Sequence, residues 1–323
     1  MRYLVTGGAG FIGSHYVRGL LAGHYADDVD AVHVLDKLTY AGNLANLSSV
    51  SDDRRFSFAV GDICDGDLLE EVIPGHDVVV NFAAETHVDR SISGPQDFVV
   101  TNVVGTQSLL DACRRHEIAR IVHIGTDEVY GSIDVGSWTE DSPLLPNSPY
   151  AASKAAGELL VRAYHRTYGL PVSSTRCSNN YGPYQYPEKV IPLFVTNLID
   201  GLQVPLYGDG LNVRDWLHVD DHCRGIQIVV ERGEAGAAYN IGGGEELTNR
   251  ELTARILARM GREWNDWVRP VDDRLGHDRR YSVDDSRIRA LGYHPRNGFA
   301  EGLDETIRWY QDNESWWRPL KES

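Results

Sequence analysis

The sequence predicts an α/β protein with a doubly wound parallel sheet, followed by a smaller mixed α/β C-terminal lobe. Two observations predict this fold. Short β-branched runs alternate with amphipathic stretches through the first half of the chain, and such alternation produces a parallel sheet covered on both faces. After residue 176 the texture changes to the Pro-, Tyr- and Asn-rich segment SNNYGPYQYPEK, where we expect the first lobe to end.

The individual elements follow from the same patterns. Strands are predicted over residues 3–6, 31–35, 56–60, 78–81, 121–125 and 172–175. A first helix begins near Phe11, and further helical patterns cover residues 96–116, 150–168, 190–200, 248–260 and 299–313. The first lobe is therefore expected over residues 1–177, with 215–242 returning to it, and the second lobe over 178–323.

Composition excludes several classes of function. The 323 residues carry 31 Lys and Arg against 47 Asp and Glu, and the net charge of −16 repels nucleic acid and anionic membranes. The N-terminal residues lack a signal-peptide pattern, and no apolar run approaches the roughly 18 residues of a membrane span. The four cysteines contain no CxxC pair, which favours reduced thiols and no metal site. We therefore expect a cytoplasmic protein that binds neither nucleic acid nor membranes.

The glycine-rich segment TGGAGFIG lies directly between the first strand and the first helix. Gly7, Gly10 and Gly13 allow a tight turn whose backbone N–H groups reach a pyrophosphate, and the helix directs its positive end at that anion. Asp36 ends the second strand, where a carboxylate accepts the ribose hydroxyls of NAD and repels the 2′-phosphate of NADP. A Rossmann-type NAD site is predicted, with a tight turn in another doubly wound protein as the alternative.

The adenine of the cofactor is expected near Asp62 and Ile63, which follow the third strand. A loop cap is an equally good interpretation of Asp62. The cofactor-binding residues predicted in this region are Gly7, Gly10, Phe11, Ile12, Gly13, Asp36, Lys37, Asp62 and Ile63.

Tyr150 and Lys154 form a YxxxK pair, and residues four apart share one face of a helix. A lysine ammonium and a nicotinamide cation both stabilise phenolate, so we expect the pKa of Tyr150 to fall from about 10 toward the working range. Tyr150 would then act as a base on a substrate hydroxyl. Ser148 and Pro149 predict the N-cap and first turn of this helix. The pair alone is weak evidence, because the same spacing also occurs by chance on exposed helices.

Thr126, Asp127 and Glu128 follow the strand IVHIG at its carboxyl end, where open parallel sheets bind ligands. Burial can keep one carboxyl protonated as a general acid while its neighbour stays ionised as a base. A solvated Asp–Glu turn is the alternative. We favour a proton-transfer pair, because these residues follow a strand of the same sheet as the glycine-rich turn.

Six segments together resemble a known family: TGGAGFIG, AAETHVDRSI, TDEVYG, SPYAASKA, SNNYGPYQYPEKVIP and DRLGHDRRY. They are similar to the dTDP-glucose 4,6-dehydratases of the extended short-chain dehydrogenase/reductase superfamily, over residues 1 to about 281. TGGAGFIG and YxxxK mark only the superfamily, whereas TDEVYG with NNYGPYQ and GHDxRY is more specific. Gly125 is a departure, because the family commonly has serine there.

The resemblance implies a redox-neutral, NAD-dependent hydro-lyase that converts dTDP-glucose to dTDP-4-keto-6-deoxyglucose and water. Tyr150, assisted by Lys154 and Thr126, would remove the proton of the 4-hydroxyl during oxidation at carbon 4. Glu128 would then take the proton of carbon 5 while Asp127 protonates the departing 6-hydroxyl. Reduction at carbon 6 and reprotonation of carbon 5 would complete the reaction.

The resemblance also implies a set of supporting and substrate-binding residues. Ala83 and Ala84 would shape the loop on the nicotinamide side, and Asn102 would support that loop. Tyr150 and Lys154 would also contact the cofactor. The implied substrate-binding residues are His87, Thr126, Asn180, Glu188, Lys189, Leu193, Arg214, Asn249, Arg274, His277 and Tyr281.

A homodimer is expected too, because helices like the one that includes Tyr150 and the one before it pair into an intersubunit four-helix bundle in this superfamily. The aromatic cluster Trp309, Tyr310, Trp316 and Trp317 is predicted to pack a C-terminal helix on the core. Two other functions stay open: another nucleotide-sugar epimerase, decarboxylase or dehydratase, and a non-catalytic protein that senses a dinucleotide.

Overall fold

The structure is a computed structural model, and it describes residues 1–322. Its main sheet contains seven parallel strands: β1 (Arg2–Thr6), β2 (Ala31–Asp36), β3 (Phe56–Val60), β4 (Val78–Asn81), β5 (Arg120–Thr126), β6 (Val172–Cys177) and β10 (Ala238–Ile241). Their order across the sheet is β3-β2-β1-β4-β5-β6-β10. The direction of winding reverses between β1 and β4, which is where doubly wound sheets bind ligands. The predicted fold class is confirmed.

The helices, in chain order, cover both faces of this sheet and build the second lobe. They are α1 (Phe11–Leu21), α2 (Gly66–Val72), α3 (Val88–Ser93), α4 (Pro95–Val99), α5 (Thr106–Arg115), α6 (Pro149–Tyr168), α7 (Val190–Ile199), α8 (Val219–Arg232), α9 (Asn249–Arg259), α10 (Trp264–Trp267), α11 (Ser286–Ala290), α12 (Phe299–Asp312) and α13 (Glu314–Glu322). Two short 3-10 helices cover Leu44–Val50 and Asp127–Tyr130.

Successive residues of each strand point to opposite layers, which is why the strands read as continuous apolar runs. Val5 of β1 packs in the layer of α1 and α8, whereas Leu4 packs in the layer of α2, α5 and α6. Both side chains are completely buried. Packed side chains therefore cover the sheet on both faces, and this packing positions the ends of its strands.

The helical pattern over residues 96–116 is not one regular helix. A π-helical segment, Val100–Gly105, separates α4 from α5. Side-chain periodicity does not reveal this, because the chain stays helical and buries the same face throughout. Such wider turns often occur at functional sites, and this one contains the predicted residue Asn102.

The second lobe has two small sheets and its own apolar core. One sheet contains β7 (Asn179–Tyr181), β9 (Val213–His218) and β11 (Glu246–Thr248), and the other pairs β8 (Val204–Tyr207) with β12 (Val268–Val271). Although α8 and β10 lie between β9 and β11 in the chain, they pack with the main sheet. α8 packs on β5 and β6, and β10 extends the main sheet beyond β6. The lobe boundaries themselves stay a prediction. Within residues 1–322, no helix is long and apolar enough to cross a membrane.

Candidate active site

A long cavity runs along the carboxyl ends of the parallel strands and is lined from both lobes. Its position agrees with the rule that open α/β sheets bind ligands outside these strand ends. The predicted residues that line it are Gly7, Gly10, Phe11, Ile12, Gly13, Asp36, Lys37, Asp62, Ile63, Ala83, Ala84, Thr126, Asp127, Glu128, Tyr150, Lys154, Asn180, Glu188 and Lys189.

The glycine-rich turn forms one end of the cavity, and two of its glycines have no substitute. Gly7 has φ of +68°, a conformation that other residues rarely adopt. A Cβ on Gly13 would lie 2.3 Å from the carbonyl oxygen of Gly7. No side chain of the described residues caps the N-terminus of α1, so the amides of its first turn are available to an anion. This backbone cradle fits the diphosphate of a dinucleotide.

Asp36 lies beside the turn and is held by two backbone donors. The N–H of Ala9 donates to Asp36 Oδ2 at 2.9 Å, and the N–H of Leu38 donates to Oδ1 at 2.8 Å. Next to it, Lys37 Nζ pairs with Asp62 Oδ2 at 2.7 Å. The carboxylate of Asp36 is thus fixed at the end of β2 with acceptor capacity left for ribose hydroxyls, which fits NAD.

The loop after β4 approaches the turn closely and is fixed from behind by Asn102. A Cβ on Gly7 would lie only 2.5 Å from the backbone nitrogen of Ala83. Asn102 accepts from the N–H of Glu85 at 2.9 Å and donates to Glu85 O at 3.0 Å and to Ser153 Oγ at 2.9 Å. Asn102 is buried and does not line the cavity, so it acts on the loop and not directly on a ligand.

The two adjacent acids are buried to different degrees and in different electrostatic surroundings. Asp127 is 3% exposed, and its Oδ2 has no hydrogen-bond partner within residues 1–322. Burial, and then the charge of Glu128, raise the pKa of Asp127 well above its usual value. Burial also raises the pKa of Glu128, but the charges of Arg274 and Arg214 oppose that rise. The protonated form is therefore favoured at Asp127 more than at Glu128.

Tyr150 and Lys154 lie on the first turns of α6 and face the same cavity. Ser148 caps the helix by accepting from the N–H of Ala151 at 3.1 Å, and Pro149 is the first helical residue, as expected. Lys154 Nζ donates to the carbonyl oxygen of Ile124 at 2.7 Å, and burial lowers the pKa of Lys154 to about 8.

The expectation of a lowered Tyr150 pKa is wrong for the chain by itself. Burial, followed by the charge of Glu128, raises the pKa of Tyr150 well above 10, and only a hydrogen bond from Thr126 opposes this. The physical reason is that desolvation of the phenolate and the charges of the neighbouring acids outweigh the hydrogen bond with Thr126. The sequence pattern YxxxK indicates which groups are neighbours, but it contains no information about burial.

Eight further predicted residues do not line the cavity: His87, Asn102, Leu193, Arg214, Asn249, Arg274, His277 and Tyr281. Leu193 packs against the core of the second lobe. The N–H of Asn249 donates to Asn212 O at 3.0 Å, and Nδ1 of His277 lies 2.6 Å from Asp273 Oδ1. These three positions are therefore engaged in local structure in the chain as described.

Three predicted cationic residues, Arg214, Arg274 and Lys189, lie close enough to Glu128 for their charges to lower its pKa. The guanidinium of Arg214 lies 4.2 Å above the ring of Tyr281 and donates to Asp278 O at 3.0 Å. Arg274 Nε is buried and has no partner within residues 1–322. Lys189 Nζ donates to the carbonyl oxygen of Thr86 at 3.1 Å. Such a group of cations suits the diphosphate of a nucleotide sugar.

Glu188, which lines the cavity, contacts His87, the histidine predicted to bind the sugar. Its Oε2 lies 3.3 Å from Arg90 Nε and 3.8 Å from His87 Nε2. His87 caps α3, and its Nδ1 accepts from the N–H of Arg90 at 3.3 Å. His87 therefore contacts Glu188, which lines the cavity, but does not line the cavity itself.

Gly125 has a steric reason in this chain. A Cβ at this position would lie 2.4 Å from the carbonyl oxygen of Thr175, on the paired strand β6. Glycine therefore allows β5 to pair closely with β6, directly before Thr126. A serine would require the two strands to shift apart.

Several lining residues were not predicted. Five of them lie near Asn180 in the segment SNNYGPYQYPEK, whose unusual composition was a signal for them. They are Ser178, Asn179, Tyr184, Gln185 and Tyr186. No sequence signal indicates Asn43, Asn46, Trp316 and Leu320. Tyr310 and Trp317 of the aromatic cluster are fully buried, as predicted for residues that pack a C-terminal helix on the core. Trp316, from the same cluster, also lines the cavity.

The whole chain is similar to several enzymes that are named for nucleotide sugars. A family model described as GDP-mannose 4,6 dehydratase matches residues 4–306. The dTDP-glucose 4,6-dehydratase of Streptomyces niveus is 61% identical over 99% of this chain and 96% of its own length. The crystal structure of the dTDP-glucose 4,6-dehydratase DesIV from Streptomyces venezuelae, which contains NAD, is 63% identical, covers 99% of this chain and 100% of its own, and superimposes with a TM-score of 0.98. A Thermus thermophilus UDP-glucose 4-epimerase with NAD is 34% identical, with a TM-score of 0.87 over 97% of this chain and 100% of its own.

Proposed function

The chain belongs to the family of the dTDP-glucose 4,6-dehydratases, and from that premise we propose a role for each buried group of the cavity. The protein is a NAD-dependent hydro-lyase that converts dTDP-glucose to dTDP-4-keto-6-deoxyglucose and water. Its cofactor half is the glycine-rich turn with Asp36, and its reacting groups are Thr126, Asp127, Glu128 and the Tyr150–Lys154 pair.

The first step is removal of the proton of the sugar 4-hydroxyl. The phenolate form of Tyr150 receives this proton, and Thr126, whose hydroxyl hydrogen-bonds to it, orients the phenolic oxygen. Lys154, fixed on the carbonyl of Ile124, places a positive charge on the same helix face, one turn along from Tyr150. NAD, when bound, supplies the hydride acceptor for carbon 4 and the hydride donor for carbon 6. Its nicotinamide cation also opposes the rise in the Tyr150 pKa that burial causes.

The second step is elimination of water across carbons 5 and 6. The 4-ketone acidifies the proton of carbon 5, and Glu128, whose ionised form Arg274 and Arg214 favour, takes that proton. Asp127 donates its proton to the departing 6-hydroxyl, which leaves as water. In the last step Glu128 returns its proton to carbon 5. The burial of Asp127 and the arginine charges that favour ionised Glu128 support this division of tasks.

The state of Asp127 is the observation that carries this assignment. Asp127 lines the cavity, its Oδ2 is buried and has no partner among residues 1–322, and its pKa is raised. A buried carboxyl oxygen without a partner is uncommon, and a catalytic role as proton donor to a ligand accounts for it here. Simple dehydrogenation or epimerisation at carbon 4 has no leaving group that needs such a donor.

The substrate competition experiment tests this function directly. The purified protein is incubated with a mixture of dTDP-glucose, UDP-glucose and GDP-mannose, and each nucleotide sugar is followed by chromatography. We expect only dTDP-glucose to be consumed, with a product that develops the alkali-induced absorbance of a 4-keto-6-deoxy sugar. Preferential consumption of a UDP or GDP sugar, or NAD binding without any turnover, would overturn the assignment.

We propose in addition that the protein is a cytoplasmic homodimer. Large apolar side chains are exposed along the helical region that precedes and includes Tyr150, among them Val99, Val104 and Leu159, each about half exposed. Pairing of this surface with its copy would bury these side chains in a four-helix bundle. Four free cysteines favour a reducing compartment. Sedimentation of a stable monomer at micromolar concentration would contradict the dimer.

A further inference from the structure

The C-terminal helix α13 forms part of the cavity wall at its cofactor end. Trp316 and Leu320, both on α13, line the cavity beside Asn43 and Asn46, which follow β2. Trp316 Nε1 donates to Asn46 Oδ1 at 2.9 Å, between residues 270 positions apart. The last helix of the chain is thereby hydrogen-bonded to the first lobe.

Asn46 is in turn fixed to the glycine-rich turn. It is 2% exposed, and its Nδ2 donates to the carbonyl oxygen of Ala9 at 2.9 Å. The backbone N–H of Asn43 donates to the same carbonyl oxygen at 3.1 Å. The backbone oxygen of Asn46 accepts from the guanidinium of Arg18 on α1. One asparagine therefore connects α13 to the backbone that fits the cofactor diphosphate.

A second connection runs through the segment 184–186. The ring of Tyr184 lies 4.3 Å from the guanidinium of Arg18 and 5.5 Å from the ring of Trp316. Tyr184 has φ of +69°, an unfavourable backbone conformation that persists only where the surrounding structure holds it. The hydroxyl of Tyr186 donates to the carbonyl oxygen of Leu320 at 3.0 Å. Both connections join the last helix to the cofactor end of the cavity.

We propose that α13 is a latch that retains NAD through the catalytic cycle, with Trp316 and Asn46 as its closing contact. The inference rests on the proposed function, in which the hydride removed from carbon 4 returns to carbon 6 of the same sugar. A cofactor that departs between these steps takes the hydride with it and leaves the sugar oxidised. Trp316 is suited to this task, because its rigid ring covers apolar surface while its N–H fixes its orientation.

The rate of cofactor release tests the latch. Trp316→Phe removes only the N–H donor, and Trp316→Ala removes the ring as well. We expect etheno-NAD to dissociate about fivefold faster from Trp316→Phe than from the parent protein, the effect of one hydrogen bond. From Trp316→Ala we expect at least about tenfold faster release. Displacement by excess NAD, followed by fluorescence, measures both rates.

A matched control is Trp264→Phe, which changes a partly buried tryptophan of α10 that contacts Arg250 outside the cavity. It should release etheno-NAD at the parental rate. The phenylalanine variant keeps an aromatic ring in place and lacks only the hydrogen bond to Asn46. Release at the parental rate from Trp316→Phe would therefore overturn the latch, whatever the rate from Trp316→Ala. A faster rate in Trp316→Phe and Trp264→Phe alike would overturn it too.

A second measurement separates the latch from the proposed function. With dTDP-glucose as substrate, turnover by Trp316→Ala should depend on added NAD more steeply than turnover by the parent protein. If the parent protein consumes no dTDP-glucose while Trp316→Phe releases etheno-NAD faster, the proposed function fails and the cofactor latch stands. If dTDP-glucose is consumed and the release rates are equal, the latch fails and the function stands.

Discussion

The two ends of the cavity are built by different means. At the cofactor end, backbone amides, glycines and the first turn of α1 form the cradle, and most of them lie within one short segment. At the reacting end, side chains from β5, α6 and the second lobe converge, and burial shifts the pKa of nearly every one of them. The first kind of site depends on steric fit, and the second depends on proton positions. Substitutions and pH should therefore separate the two ends.

Removing the carbon 5 base should have the largest effect. Glu128→Gln is expected to lower turnover by about 100- to 10,000-fold, the usual contribution of a positioned acid or base. Oxidation at carbon 4 does not need this carboxylate, so reduced nicotinamide should accumulate on the enzyme and show its near-ultraviolet absorbance. Glu71→Gln, which changes an exposed carboxylate of α2, is the control and should behave as the parent protein. Unchanged turnover by Glu128→Gln would remove Glu128 from the mechanism.

A substitution at the cofactor end should impair binding without any change in protonation. Gly13→Ala places a Cβ against the backbone oxygen of Gly7, which has no flexible side chain to move. We expect a loss of about 1–3 kcal/mol in NAD binding, the usual cost of overpacking. Gly66→Ala is the matched control, because nothing lies within 4 Å of the added Cβ. Calorimetric titration with NAD measures both, and equal affinities would show that the cradle can relax.

The pH profile should distinguish the two ends without any substitution. Lys154 has a pKa of about 8, so its ammonium is lost as the pH rises through that value. We expect kcat/KM for dTDP-glucose to fall by about tenfold per pH unit on the alkaline side. The affinity for NAD should stay level over the same range, because the cradle is formed by backbone amides. A parallel fall in both quantities would mean that the ends are electrostatically coupled.

The smallest effect is expected on stability, and it has the opposite sign to the effect on activity. The pKa of Asp127 is raised in the folded state, so its contribution to stability is present at acid pH and is lost as the pH rises above the unfolded value. Asp127→Asn should therefore raise the free energy of unfolding near neutral pH by roughly 1 kcal/mol or more, while turnover is lost. Below about pH 4 the two proteins should be equally stable. Urea unfolding at both pH values checks this, and an equal stability near neutral pH would contradict it.

The comparison also explains how far the sequence could be read. The glycine-rich turn, the strands and the cap of α6 depend on local geometry, which residue types encode directly: glycine adopts the positive φ of Gly7 without strain, and Ser148 and Pro149 define a helix start. The adjacency of Asp127 and Glu128 at a strand end is equally local. These features, together with the segments that resemble a known family, were sufficient to predict the fold, the cofactor and the reaction.

Only the tertiary structure decided which groups are buried together. The raised pKa of Tyr150 results from desolvation by neighbours distant in the chain, and no spacing rule contains it. Trp316 reaches Asn46 across 270 positions because α13 packs back over the cavity. Local sequence determines backbone conformation through short-range sterics and hydrogen bonds. Burial, electrostatic coupling and long-range contacts arise only when the whole chain has packed.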